Sequence, residues 1–257
     1  MTTDPAKLAQ IVDEAARTGT AIPQLSQSHG EISVEAAYAI QALSIARRLG
    51  RGERIVGIKM GFTSRAKMLQ MGVSDMIWGR LTSGMQLQDG GAMAFQSYVH
   101  PRFEPEIAFV MKHRLSGPVS PAQALGAVEA VAPAMEIIDS RYENFKFSLS
   151  DVVADNSSSS GFVLGPWSRP STDLANLGMM CEVDGRTVQV GSSAAILGHP
   201  LRSLAAASRI VAEHGMALEP GWVVMAGAAT AASWVQPGTH LRVVAQDLGA
   251  VSLHVEE

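Results

Sequence analysis

Two glutamates flank a proline in the segment RFEPEIAFV, at Glu104 and Glu106. Residues two apart on a β-strand point to the same face. A strand here would carry both carboxylates on one side, roughly 6 to 7 Å apart at the backbone. A third acid, Glu136, stands in the apolar run AVAPAMEIID, with Asp139 close behind it. A carboxylate among apolar neighbours is costly to desolvate unless its charge is compensated. Three that converge would repel one another and raise their own pKa values. A bound hard cation reverses that penalty, and oxygen ligands alone favour Mg2+ or Mn2+ over zinc. Solvated surface charge or ion pairing is the alternative, and E-x-E by itself is a weak motif.

Other side chains could serve such a centre. Lys59 lies between apolar residues in GIKMG, where a lysine can anchor an anion or move a proton. It could equally run its stem along apolar surface with the ammonium in water. The segment DVVADNSSSS brings Asp155, Asn156 and four serines ending at Ser160. These could orient a water or a substrate, or form an ordinary Asx/Ser turn network. Arg80, Arg141 and Lys146 are cations able to bind a second carboxylate. Other chemistries lack support. The seven histidines form no H-x-x-x-H, and no G-x-S-x-G is present. Gly57 and Gly61 make no dinucleotide fingerprint, and no G-x-x-x-x-G-K-[ST] occurs.

The elements that must position these residues fall in two groups. Apolar Leu8, Ile11, Val12 and Ala15 predict a helix over residues 5–16, capped by Thr3 or Asp4. A second helix is expected over 33–49, a short one within SRAKMLQMGV at 64–73 and another over 121–128. A last one closes near Gly215. IVGIKMG reads as a strand ending at Gly61. Pro105 lacks an amide hydrogen, which suits an edge or a strand start. Asp184-Gly185 marks a hairpin. RYENFKFSLSDVVADNSSSSGFVLG reads as a polar loop followed by a strand. Helices at the front and a strand-rich body behind define an α+β chain. It divides into a helical part, residues 1–73, and a catalytic body, residues 74–257, in one continuous unit.

Composition narrows the partners. Of 257 residues, 47% are hydrophobic and 17% charged, enough for a packed core. A net charge of -4 offers no phosphate-neutralising surface, which argues against nucleic acid. Cys181 is the single cysteine, so no internal disulfide forms, and a buried structural thiol is expected. The first residues do not read as a signal peptide. No run reaches the roughly 18 uninterrupted apolar residues of a membrane span. A cytoplasmic location is the expectation.

With these residues in hand, the chain resembles the hydratase/decarboxylase family of catechol meta-cleavage pathways. The landmarks are GIKMGFTSRAKMLQMGV at 57–73, HPRFEPEIAFV at 100–110, MEIIDSRYENFKFSLSDVVADNSSSSGFVLG at 135–165 and AAILGHPLRSLAA at 194–206. RYENFKF and ILGHPL look like the 4-oxalocrotonate (2-oxo-3-hexenedioate) decarboxylase branch. The resemblance implies a body like the C-terminal domain of fumarylacetoacetate hydrolases, strand-rich and mixed, with a small helical N-terminal part. It implies Mg2+, replaceable by Mn2+, on Glu104, Glu106 and Glu136. Lys59 and Asp155 would be catalytic. The substrate would be a small dicarboxylic 2-oxo acid, with Arg141, Lys146 and Ser160 holding it. A homo-oligomer, and a complex with a pathway hydratase, are implied as well. The alternatives are a 2-hydroxypenta-2,4-dienoate hydratase, an acylpyruvate-type hydrolase and a catalytically silent partner of the hydratase.

Overall fold

A computed structural model describes residues 4–64, 68–69 and 76–257. Helix α1 (Pro5–Thr18) starts at Asp4, whose carboxylate accepts from Ala6 N at 3.0 Å. Pro5 opens it, where a missing N–H costs nothing. Leu8, Val12 and Ala15 are buried at the predicted spacing. The alternative cap, Thr3, lies outside the described residues, as does most of the helix expected at 64–73. Helix α3 (Val34–Gly50) is capped by Ser33, which accepts from Ala36 N at 3.1 Å. Between them lies α2 (Leu25–His29), too short to show periodicity in the sequence. Helix α4 (Pro121–Gly126) opens on a capping box of Ser120 and Gln123. In α6 (Pro200–Glu213) the His199 ring accepts from Leu201 N at 3.1 Å, and the chain turns away at Gly215.

The stretch read as a polar loop before the 159–164 strand contains a helix, α5 (Leu149–Ala154). Ser148 and Asp151 form its capping box, and Val152 and Val153 are buried. S-x-x-D before two valines is the signal for that start.

Eight strands make the larger sheet. They are β1 (Ile55–Gly61), β2 (Ile77–Thr82), β3 (Gln86–Leu87), β5 (Arg102–Met111), β6 (Val128–Ile138), β7 (Ser159–Leu164), β10 (Val223–Ala228) and β11 (Ser233–Trp234). Their order is β2-β1-β10-β5-β6-β7-β3, with β11 also paired to β5. The second sheet holds β4 (Gly91–Ala94), β8 (Gly178–Val183), β9 (Arg186–Ser192), β12 (His240–Ala245) and β13 (Gly249–Glu256). Its order is β4-β13-β12-β8-β9. Asp184 and Gly185 both take positive φ, 50° and 74°, as a two-residue hairpin between β8 and β9 requires.

Phe103, Met135, Ile137 and Val163 of the large sheet pack on Cys181, Leu241, Val251 and Leu253 of the small one. The helices cover other parts of the large sheet, with Leu8, Val12, Ile40, Val153 and Leu204 joined to Ile58, Ile107 and Phe109 in one core. The result is a mixed, strand-rich body with a small helical N-terminal part. We propose the division at residue 73 as one between parts of a continuous unit, since β1 and β2 pair across it.

Pro105 departs from the edge expectation: it sits mid-strand in β5, between β6 and β10. Its carbonyl accepts from Ala229 N at 3.0 Å, so its missing N–H faces the same neighbour. There the β10–β5 register slips between Met225 and Ala228, and no ladder bond is forfeited.

Cys181 is fully buried, and burial pushes its thiol up to about 12. A thiol reagent at pH 8 is therefore expected to label the denatured chain and spare the native one. Rapid labelling of native protein would contradict this packing.

Candidate metal centre

Strand pairing assembles the centre. Glu136 on β6 stands directly across from Glu104 on β5, and Ala134 across from Glu106. On its other side Glu106 pairs with Ala228 of β10. Partners across a ladder share a face, so small alanines flank Glu106 and leave space over the carboxylates. One carboxylate oxygen from each of Glu104, Glu106 and Glu136 lies within 4.8 Å of the others. Glu106 and Glu136 are fully buried, and Glu104 is partly so.

Lys59 comes from β1, two strands from β5, and meets Glu136 from the side. Its Nζ is 3.1 Å from Oε1 and 3.3 Å from Oε2, with the hydrogen bond going to Oε2. Gly227 N donates to Glu106 Oε2 at 2.8 Å. A side chain at Gly227 is excluded: its φ is +104° and a Cβ would stand 2.1 Å from Thr63 Oγ1. Glu106 Oε1 and Glu136 Oε1 are buried with no hydrogen-bond partner. Burial pushes Glu106 well above the usual carboxylate range; Glu136 adds to this, Lys59 opposes it, and Glu104 adds a smaller push. A buried Glu106 oxygen with no partner, on an all-carboxylate donor set, fits a hard divalent cation.

A cleft of about 220 Å³ opens onto this centre, lined in part by Lys59, Glu104, Arg102, Phe145, Ser157 and Ser158. Four of the expected site residues lie outside the lining of this cleft. Asp155 is fully buried in an ion pair with Arg141, accepting from both its backbone N and its Nε. The same guanidinium donates to Ser160 Oγ and, at 2.6 Å, to the Asp155 carbonyl. Arg141 and Ser160 open on a separate small polar pocket with Tyr98 and Asp139. Lys146 is exposed and lines neither. These four residues were expected at the substrate. The opposite charges of Asp155 and Arg141 satisfy each other instead. Arg80 is also elsewhere, donating to Gln41 Oε1 at 2.6 Å over the Trp78 ring.

Burial pushes Asp155 up to about 7 against the pull of Arg141. Removing the carboxylate would leave a buried guanidinium unpaired. Asp155→Ala is expected to cost about 3–5 kcal/mol of stability in urea unfolding while leaving metal affinity intact. Wild-type stability with lost turnover would instead return Asp155 to a catalytic role.

The polar segment does build one edge of the cleft. Asn156, Ser157 and Ser158 take three successive positive φ values, 48°, 53° and 59°. Asn156 ties to β2 in both directions: its Oδ1 accepts from Arg80 N at 2.8 Å and its Nδ2 donates to the Arg80 carbonyl at 2.9 Å. Ser157 donates to the Trp78 carbonyl at 2.8 Å. Ser158 Oγ is buried at the cleft without a partner. Sequence reasoning also passed over Arg102, although R-x-E-x-E carries the alternation that places it on the glutamates' face.

Comparison with known proteins places this geometry. The family model for the fumarylacetoacetate (FAA) hydrolase C-terminal region matches residues 60–256. The chain belongs to the fumarylacetoacetate hydrolase family. Within that family it is 58% identical to a 4-oxalocrotonate decarboxylase of a Pseudomonas species, over 246 residues and 96% of each chain. It is 37% identical to the TodF product hydratase of Pseudomonas putida, over 86% of this chain and 84% of that one. Among solved structures it superposes on 4-oxalocrotonate decarboxylase from Pseudomonas putida G7, complexed with magnesium and adipate. That match has a TM-score of 0.95 and 39% identity, covering 98% of this chain and 97% of the other.

Proposed function

We propose that this chain decarboxylates 4-oxalocrotonate to 2-hydroxypenta-2,4-dienoate and CO2, with Mg2+ as its metal and Mn2+ as a substitute. One observation carries the chemistry: three glutamates converge beside a buried lysine, with a buried Glu106 oxygen that no hydrogen bond satisfies. The 58% identity to a decarboxylase, against 37% to a hydratase, favours the decarboxylase branch.

The cation, held by Glu104, Glu106 and Glu136, supplies Lewis acidity where negative charge develops. The substrate is a vinylogous β-keto acid. The C5–C6 bond breaks, and its electron pair forms C4=C5. The C3=C4 pair moves to C2=C3, and the C2 carbonyl pair goes to oxygen. CO2 leaves, and the enolate takes up a proton. No pyridoxal or thiamin is needed, because the substrate carries its own electron sink. Lys59 stands within the cleft with a fixed orientation from Glu136. Its ammonium stabilises the growing charge on the C2 oxygen and supplies a proton there. The apolar walls, Phe145 and Phe147 among them, keep water from the enolate.

We extend the proposal to assembly and location. Val188 and Val190 are exposed on β9, an edge strand of the small sheet, which supports a homo-oligomer. A complex with a pathway hydratase, and a cytoplasmic location, belong to the same reading. The test offers the Mg2+-loaded protein 4-oxalocrotonate and 2-hydroxypenta-2,4-dienoate separately. Consumption of the first and accumulation of the second is expected. Hydration of the second, with the first untouched, would move the chain to the hydratase reading.

A further inference from the structure

We propose that Arg102 reads the distal carboxylate of the substrate, as a cation held in the corner between two aromatic rings. The proposal rests on the decarboxylase reading for the substrate's identity. Arg102 precedes Glu104 by two residues on β5, so it leaves the same face one step further from Glu106. That step is about 6 to 7 Å. An extended six-carbon chain is about as long, at roughly 1.5 Å per carbon–carbon bond. A six-carbon 2-oxo acid with its head at the glutamates thus spans the strand step that separates Arg102 from Glu104.

The guanidinium carbon lies 3.9 Å from the Phe145 ring centroid and 3.8 Å from that of Trp234. The two rings meet edge to face, with centroids 6.2 Å apart. Trp234, on β11, is the register partner of Arg102. Phe145 arrives from a turn in which Asn144 and Phe145 both have positive φ, 58° and 56°. A bulky side chain rarely adopts that conformation, and here it sets the ring against the guanidinium.

With the two rings 81° apart, only one can lie flat against the planar guanidinium, whose fork of N–H donors is the shape that binds a carboxylate bidentately. No carboxylate among the described residues ion-pairs with Arg102, and its buried Nε has no hydrogen-bond partner. The two buried arginines are provided for: Asp155 pairs with Arg141, and Gln41 accepts from Arg80. Among the described residues Arg102 is the arginine that lines the cleft, with Glu104 the carboxylate that acts on its charge; a metal held by Glu104 would release that charge for a ligand. The clamp also suits a leaving group. The contact must weaken as CO2 forms, and the two rings go on stabilising the cation once the carboxylate charge has gone.

The test uses two non-reacting probes that differ only at the far end, 2-oxohexanedioate and 2-oxohexanoate, each titrated calorimetrically into the Mg2+-loaded full chain. Wild type is expected to bind the dicarboxylate more tightly. Arg102→Gln is expected to weaken the dicarboxylate by about 10- to 100-fold, leave 2-oxohexanoate unchanged and raise KM for 4-oxalocrotonate. Trp234→Ala, on the exposed wall, should lower the same ratio several-fold, and it decides the matter if Arg102→Gln does not fold. An unchanged ratio, or equal weakening of both probes, overturns the proposal. If wild type releases no CO2 yet the ratio falls, the decarboxylase reading fails and the assignment of Arg102 stands. CO2 release with an unchanged ratio sinks Arg102 alone.

Discussion

Glu106→Gln is expected to lose Mg2+ binding and, with it, CO2 release by about a thousandfold or more, roughly 4 kcal/mol of transition-state stabilisation. Glutamine keeps the volume and can still accept from Gly227 N, so the local packing survives. What disappears is one negative charge of three. Glu106 is fully buried, and burial and Glu136 push its carboxyl well above its usual range. The metal-free variant is therefore expected to unfold at the same denaturant concentration or a higher one, because a neutral amide replaces a carboxyl whose ionised form is penalised by burial and by Glu136. Calorimetric Mg2+ titration beside urea unfolding reads both effects. Wild-type Mg2+ affinity in Glu106→Gln would mean that the metal sits elsewhere.

Lys59→Met is expected to separate metal binding from chemistry. In the metal-free protein the ammonium lies 3.1 Å from Glu136 Oε1. It competes there with any cation for the same carboxylate. Its removal should leave Mg2+ affinity equal or higher, while CO2 release falls by about 10²- to 10³-fold, the usual size of a lost charge-stabilising donor. Methionine preserves most of the apolar stem at this buried position of β1. A variant that binds Mg2+ and turns over like wild type would remove Lys59 from the mechanism. Weakened Mg2+ binding would recast it as structural support for Glu136.

Much of the centre was legible because it depends on alternation within single strands. Glu104 and Glu106 share a face for that reason alone, and Glu136 stood out because its neighbours are apolar. The register that sets Glu136 across from Glu104 is a relation between strands, and no local pattern encodes it. The same limit explains Asp155 and Arg141. Each looked like a site residue, and nothing in the chain said that the two charges would pair with each other. Lys146 failed for a simpler reason: it follows the turn that delivers Phe145, and its own side chain points to solvent. Arg102 was one alternation away from the glutamates. Its surroundings emerge only when Phe145 and Trp234, distant in sequence, bring their rings against its guanidinium. Pro105 was misplaced because its edge preference assumes an unbroken ladder, whereas β10 slips register beside it. Helix α5 was missed although its capping box was present, since a serine-rich run reads as loop.

The most direct test of the account is CO2 release from 4-oxalocrotonate by chelator-stripped protein before and after Mg2+ is restored. One CO2 per substrate, appearing only with the metal and matched by 2-hydroxypenta-2,4-dienoate, is the predicted result. Metal-loaded protein that consumes no 4-oxalocrotonate, or stripped protein that releases CO2 equally fast, would contradict it.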